Sequence, residues 1–171
     1  VEAYINSLLY ELKAVKEVMK GKTLNTVYIG GGTPTSLEVH ELERIIKFIK
    51  TQFNSNIKEF TVEAGRPDTI NLEKLKMFKE YEIDRISINP QTMNNETLIT
   101  IGRSHDVKST LEAYNLAKFL NFDIINMDLI LGLPGEGIKM VRKTMTAIKD
   151  LNPENITVHS LAIKRGSNLH K

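Results

Sequence analysis

Several polar residues in this 171-residue chain have the types and placement that ligand chemistry needs. The stretch Val27-Tyr28-Ile29-Gly30-Gly31-Gly32-Thr33-Pro34-Thr35 carries three consecutive glycines, and without Cβ atoms a ligand can approach the backbone closely. With a β-branched run ahead and Thr-Pro-Thr behind, its free backbone groups can bind a small charged moiety, although a generic glycine turn has the same composition. It is neither a GxGxxG dinucleotide loop nor a Walker loop, because no GK[ST] follows. Glu63, ahead of Ala64-Gly65-Arg66-Pro67, can accept a hydrogen bond from an ammonium or hydroxyl, or can pair with Arg66 or Lys58. Asp128 sits among apolar residues, which argues for a functional carboxylate over a surface one. Gln91, before Thr92-Met93-Asn94, is a ligand contact or a turn residue. Arg103, in Ile101-Gly102-Arg103-Ser104-His105, can clamp a carboxylate in bidentate fashion or be a solvated helix-end arginine.

Other chemistries are excluded by what the chain lacks. It contains no cysteine, so it can form no disulfide, offer no thiolate nucleophile and supply no Cys ligand to zinc or an iron–sulfur cluster. The four histidines, His40, His105, His159 and His170, show no HxH or HxxxH spacing, so a zinc site is not expected. No GxSxG elbow is present. Lys+Arg 23 against Asp+Glu 21 leaves +2, with no basic run longer than two residues, so no nucleic-acid partner is expected. No apolar stretch approaches the ~18–20 residues of a membrane span, so no membrane partner is expected either.

These residues must be positioned by the elements around them. Five β-branched runs, Thr26–Gly30, Glu59–Ala64, Arg85–Asn89, Ile124–Leu131 and Asn155–Leu161, start 33, 26, 39 and 31 residues apart. Each interval suits a crossover helix between parallel strands. Five apolar stripes of helical period fill the gaps: Ile5–Met19, Leu42–Phe53, Leu72–Phe78, Val107–Phe119 and Met140–Leu151. A Thr35-x-x-Glu38 capping box is predicted to start the second, Asn71 and Asp106 to cap the third and fourth, and Pro153 to follow the last. A parallel α/β sheet follows. The opening helical stripe, with no strand before it, is expected to mark a truncated domain.

Alternation splits each strand into two faces. Phe60, Val62 and Ala64 oppose Thr61 and Glu63; Ile86, Ile88 and Pro90 oppose Arg85, Ser87, Asn89 and Gln91. Ile125, Met127, Leu129 and Leu131 oppose Asn126 and Asp128; Ile156 and Val158 oppose Thr157 and His159. A closed eight-stranded barrel fills its interior with branched apolar residues, and a doubly wound sheet is apolar on both faces. An unclosed barrel with helices outside and a polar, ligand-holding lumen fits the pattern.

The order YIGGGTPT, FTVEAGRP, RISINPQTMNNETLITIGRSH, INMDLILGLPGE and ITVHSLAI resembles the radical S-adenosylmethionine (SAM) enzymes, specifically the HemZ-type oxygen-independent coproporphyrinogen III oxidases. The resemblance covers essentially the whole chain. It implies a partial (β/α)6 TIM-like barrel, here a single domain over 1–171 running from the first helix to the sixth strand and truncated before the first strand. Carried over by position, it implies that Gly31, Gly32 and Thr33 bind the methionine amino end of SAM together with Glu63. Arg103 would hold the SAM carboxylate, Gln91 and Asp128 the ribose hydroxyls, and Ala162 would lie near the adenine. The family's CxxxCxxC loop, which holds a [4Fe–4S] cluster, is missing from this cysteine-free chain, so the cluster ligands are expected outside it.

The resemblance further implies a cytoplasmic enzyme of anaerobic haem synthesis, with a porphyrinogen substrate, SAM and an electron donor as partners. It would decarboxylate two propionates of coproporphyrinogen III to vinyl groups. Two alternatives accompany it: a haem- or porphyrin-binding chaperone relative without decarboxylase activity, and a radical-independent barrel enzyme using Glu63 and Asp128 as acid and base.

Overall fold

The structure of the chain, a computed structural model, describes residues 1–162. Five strands, β1 (Leu24–Ile29), β2 (Ser55–Gly65), β3 (Arg85–Gln91), β4 (Ile124–Leu131) and β5 (Asn155–Ser160), form one sheet in the order β1-β2-β3-β4-β5. Every neighbouring pair is parallel. When successive parallel strands always step in one direction, crossovers of one hand place all connecting helices on one face. The order never reverses, so this is no doubly wound sheet. Strands β1 and β5 do not pair with each other, leaving an open, curled half-barrel as expected.

Helices α1 (Glu2–Val18), α2 (Val39–Gln52), α3 (Leu72–Glu80), α4 (Asn95–Thr100), α5 (Val107–Phe119) and α6 (Ile138–Leu151) complete the chain. The apolar strand face packs against them: Phe60, Val62 and Ala64 of β2, Ile86 and Ile88 of β3, and Ile125, Met127 and Leu129 of β4 lie in one core. Leu42, Ile46, Leu75, Phe78, Ala113, Ala117 and Ile148 close it from the helix side. Each fully buried Val, Leu, Ile, Phe or Met among them contributes about 1.5–3 kcal/mol. A smaller cluster around Ile5, Ile45 and Ile49 ties α1 to α2. No helix among the described residues is long and apolar enough to cross a membrane.

The predicted caps of α3 and α5 are present. Asn71 Oδ1 accepts from Lys74 N at 2.9 Å, and Asp106 accepts from Ser109 N at 2.7 Å while Ser109 Oγ accepts from Asp106 N. Asn152, left-handed at φ 54°, ends α6 before Pro153. The predicted Thr35-x-x-Glu38 box is not there. Thr35 belongs to a 3-10 turn over Pro34–Ser36, where its hydroxyl donates to the Ala64 carbonyl. Helix α2 starts one turn later, where the Glu38 N–H donates to the Glu41 carboxylate at 2.8 Å. The proline-led turn takes up the chain that the box would have needed. Helix α4 was not foreseen: six residues are too few to show a helical period.

Candidate functional site

The strand residues that alternate away from the core form a connected polar surface on the inner face. At its β1 end, Glu63 Oε2 accepts from the Gly31 N–H at 3.2 Å and from the Tyr28 hydroxyl at 3.3 Å. Glu63 Oε1 accepts from Asn89 Nδ2 at 3.2 Å. The Ser87 hydroxyl contacts Asn89 Oδ1 at 3.2 Å and Asp128 Oδ1 at 3.4 Å. Asn126 Nδ2 donates to Ser87 Oγ at 2.8 Å and to Asp128 Oδ1 at 2.5 Å, and the Thr157 hydroxyl donates to Asn126 Oδ1 at 2.9 Å. Buried polar groups persist where they are paired, and here one network links all five strands. A cleft of about 330 Å³ lies against it, lined by residues including Tyr28, Ser87, Asp128 and Thr157. His159 lines this cleft as the alternation required, and His40 is exposed on α2.

Glu63 therefore pairs with neither Arg66 nor Lys58 in the manner left open by the sequence. Arg66 turns instead to Asp68 at 3.0 Å. The partners that hold Glu63 come from the glycine loop and from β1 and β3. The Tyr28 pKa is raised, first by desolvation and then by the adjacent Glu63 carboxylate, which keeps the phenol a donor. Gly31 and Gly32 adopt φ of 84° and 61°, where a Cβ would be strained. Nothing lies within 4 Å of a Cβ built at either, so the loop borders open space. Thr33 follows in extended conformation and is half-buried.

Gln91 and Arg103 stand at the strand ends, where the loops after β2 and β3 meet. Gln91 is the last residue of β3, left-handed at φ 66° and 6% exposed, and its Oε1 is buried with no hydrogen-bond partner among the described residues. Arg103 follows α4 and is half-buried, with no acid partner among the described residues. Burial, then the nearby Arg66 cation, lowers its pKa, while Asp68 opposes the shift. Ala162 lies exposed just past β5. His170 lies outside the described residues.

His105, 3% exposed, belongs to the same rim. Its Nε2 lies 3.3 Å from the Pro90 carbonyl, and its Nδ1 is buried without a partner among the described residues. Its pKa is lowered by burial first; the Pro90 bond and Asp68 oppose this, and Arg103 and Arg66 add to it. The unfolded chain then binds the proton more tightly, so the ring's contribution to stability is complete above about pH 6.5 and is lost as pH falls below that value. The thermal midpoint is expected to drop as pH falls below about 6.5, and His105→Gln should flatten that segment. An unchanged slope in the variant would assign the transition to another group.

Sequence alternation placed Ser87, Asn89 and Asn126 on the inner face without marking them as site residues. Tyr28 was hidden inside the glycine motif, although it too alternates with Val27 and Ile29. The inner face thus offers carboxylate and amide acceptors, and at the strand ends stands a guanidinium with no acid partner among the described residues. That set suits a ligand bearing ammonium, carboxylate and hydroxyl groups together.

Residues 3–148 match the family model of the radical SAM superfamily. The chain is 46% identical over 173 aligned residues to the oxygen-independent coproporphyrinogen-III oxidase-like protein HemZ of Bacillus subtilis, covering 99% of this chain and 34% of that protein. It is 34% identical to the heme chaperone HemW of the same organism, over 96% of this chain and 44% of that one. The solved structure of the coproporphyrinogen III oxidase HemN from Escherichia coli, a radical SAM enzyme, superposes with a TM-score of 0.89 at 27% identity. That match covers 96% of this chain and 38% of HemN. The chain thus spans between about a third and a half of the length of these relatives. Fold, motif order and family match agree: this chain belongs to the radical SAM superfamily.

Proposed function

We propose that the protein containing this chain is a SAM-dependent oxidoreductase that converts coproporphyrinogen III to protoporphyrinogen IX by oxidative decarboxylation of two propionates. The observation that carries this reading is the 46% identity to HemZ across 99% of the chain, with a polar inner rim in place. The rim fits SAM because its binding capacity is unspent: Gln91 Oε1 is an orphaned buried acceptor, and Arg103 has no acid partner among the described residues. Asp128 Oδ2 likewise accepts no hydrogen bond among the described residues.

In this reading Gly31, Gly32, Thr33 and Glu63 receive the amino end of SAM. Arg103 takes its carboxylate, Gln91 and Asp128 take the ribose hydroxyls, and Ala162 borders the adenine. The chain's own residues bind and orient rather than transfer protons. Superfamily membership implies a [4Fe–4S] cluster as well. This chain has no cysteine, and its described residues hold no group of three or more His, Asp or Glu fit for a metal, so it does not supply the cluster ligands. When bound, SAM and that cluster supply the one-electron chemistry. A porphyrinogen substrate and an electron donor complete the set, and cytoplasmic location belongs to the same proposal.

The likeness to HemW supports a second reading, a haem- or porphyrin-binding protein without decarboxylase activity. Anaerobic assay of the full-length polypeptide with reconstituted cluster, reductant, SAM and coproporphyrinogen III separates the two. Protoporphyrinogen and 5′-deoxyadenosine are expected. Haem transfer with no decarboxylation would favour the second reading. The 171-residue chain alone is expected to form no 5′-deoxyadenosine after iron–sulfur reconstitution, and turnover by it without SAM or iron would instead establish Glu63 and Asp128 as an acid–base pair.

A further inference from the structure

The backbone at Gln91 is held in a conformation it would not choose. A non-glycine residue at φ 66° costs of order 1 kcal/mol or more and persists only where its surroundings enforce it. The β3–β4 pairing register also shifts between Ile88 and Gln91, so the ladder resumes at the Gln91–Leu129 pair out of step with the run before it. Two separate anchors flank it.

Downstream, residues 92–94 are tied to α6 and the turn before it. The Met93 N–H donates to Thr144 Oγ1 at 3.0 Å, and the Asn94 amide donates to Thr144 Oγ1 at 3.1 Å, to Glu136 Oε1 at 3.0 Å and to the Met140 carbonyl at 3.3 Å. The Thr92 hydroxyl contacts Glu136 Oε1 at 2.5 Å. Upstream, the Pro90 carbonyl meets His105 Nε2 at 3.3 Å. A carbonyl can only accept, so Nε2 carries the proton, and the bare Nδ1 has no partner among the described residues. His105 is 3% exposed, so solvent does not substitute for this bond.

We propose that His105 is a positioning residue for Gln91: by holding the Pro90 carbonyl it fixes the left-handed turn that aims the Gln91 amide into the SAM rim. This inference rests on the reading of Gln91 as a SAM contact. Gln91 Oε1 is the orphaned acceptor, and the angle of the preceding peptide decides where it points. The α6 anchor alone fixes the chain after Gln91; the His105 bond fixes the peptide before it, and both are needed to define the residue between them.

The test is SAM affinity, measured by anaerobic calorimetry on the full-length polypeptide with its cluster reconstituted, in a double-mutant cycle. His105→Phe keeps the ring but removes the donor, and is expected to weaken SAM binding by about fivefold to tenfold. His105→Gln, whose amide can reach the same carbonyl, is expected to bind within about twofold of the parent. In a Gln91→Ala background, His105→Phe should cost less than about twofold, because the group it positions is gone. Equal loss from His105→Phe in both backgrounds, or loss in neither while Gln91→Ala binds weakly, overturns the positioning role and leaves the Gln91 contact standing. Unchanged affinity in Gln91→Ala alone overturns the contact, and the positioning role with it. If the phenylalanine variant does not fold, His105→Asn, whose shorter amide falls short of Pro90, takes its place with the same expectations.

Discussion

Replacing Gly30 by alanine is expected to weaken SAM binding of the full-length protein by about 10- to 100-fold while the fold survives. A Cβ at this position would lie 2.2 Å from the Tyr28 ring carbon Cε1 and 2.9 Å from Glu63 Oε2, distances no real contact tolerates. Tyr28 is 64% exposed, so its ring can swing into solvent, but it then releases Glu63. The carboxylate must also retreat from the Gly31 N–H, the one bond that joins it to the glycine loop. Gly30 does not have a left-handed φ, so alanine brings no backbone strain. The effect should therefore appear in affinity far more than in melting temperature. Calorimetric titration beside a thermal melt checks both. Parental SAM affinity in a folded Gly30→Ala protein would remove Glu63 from the site.

Asp128→Ala should weaken SAM binding to a similar degree. A hydrogen bond to a charged group is worth about 1.5–3 kcal/mol, which corresponds to about 10- to 150-fold in affinity. Among the described residues, Asp128 is engaged through Oδ1 alone, by Asn126 and Ser87. Those two donors fix the carboxylate plane and leave Oδ2 for a ligand. Asp128→Asn separates the contributions: it keeps an oxygen for the donors, loses the charge, and should lie between the parent and the alanine variant. An unchanged affinity in Asp128→Ala would take this residue out of the SAM site, whatever becomes of Glu63.

The sheet was legible in the sequence because its signal is local and repeated. Alternation along β3 and β4 separated Ile86, Ile88, Ile125 and Met127 from Ser87, Asn89, Asn126 and Asp128, and the structure puts the first set in the helix-side core and the second in the inner polar network. Strand β2 begins at Ser55, four residues before the β-branched run, because its pairing with β1 recruits a polar stretch that has no strand pattern of its own. The start of α2 was misplaced because Thr35 satisfies the capping wording but is drawn away by the Ala64 carbonyl, 29 residues distant. The partners of Glu63 were illegible for a like reason. Sequence proximity suggested Arg66 and Lys58, whereas the sheet brings in Asn89 from 26 residues away and Gly31 from 32. The anchors of Gln91 depend on contacts 15 to 52 residues apart, which no periodicity announces.

The pleat of these strands divides labour between neighbours in the chain. In β3, Ile88 serves the helical layer, and Asn89 beside it serves the inner rim. An exchange at one of these positions need not disturb the other, since their side chains point to opposite sides of the sheet. Inherited variation can therefore retool what the rim grasps while the oily layer behind it passes on unaltered, which makes this half-barrel a chassis for new substrates as much as a device for one.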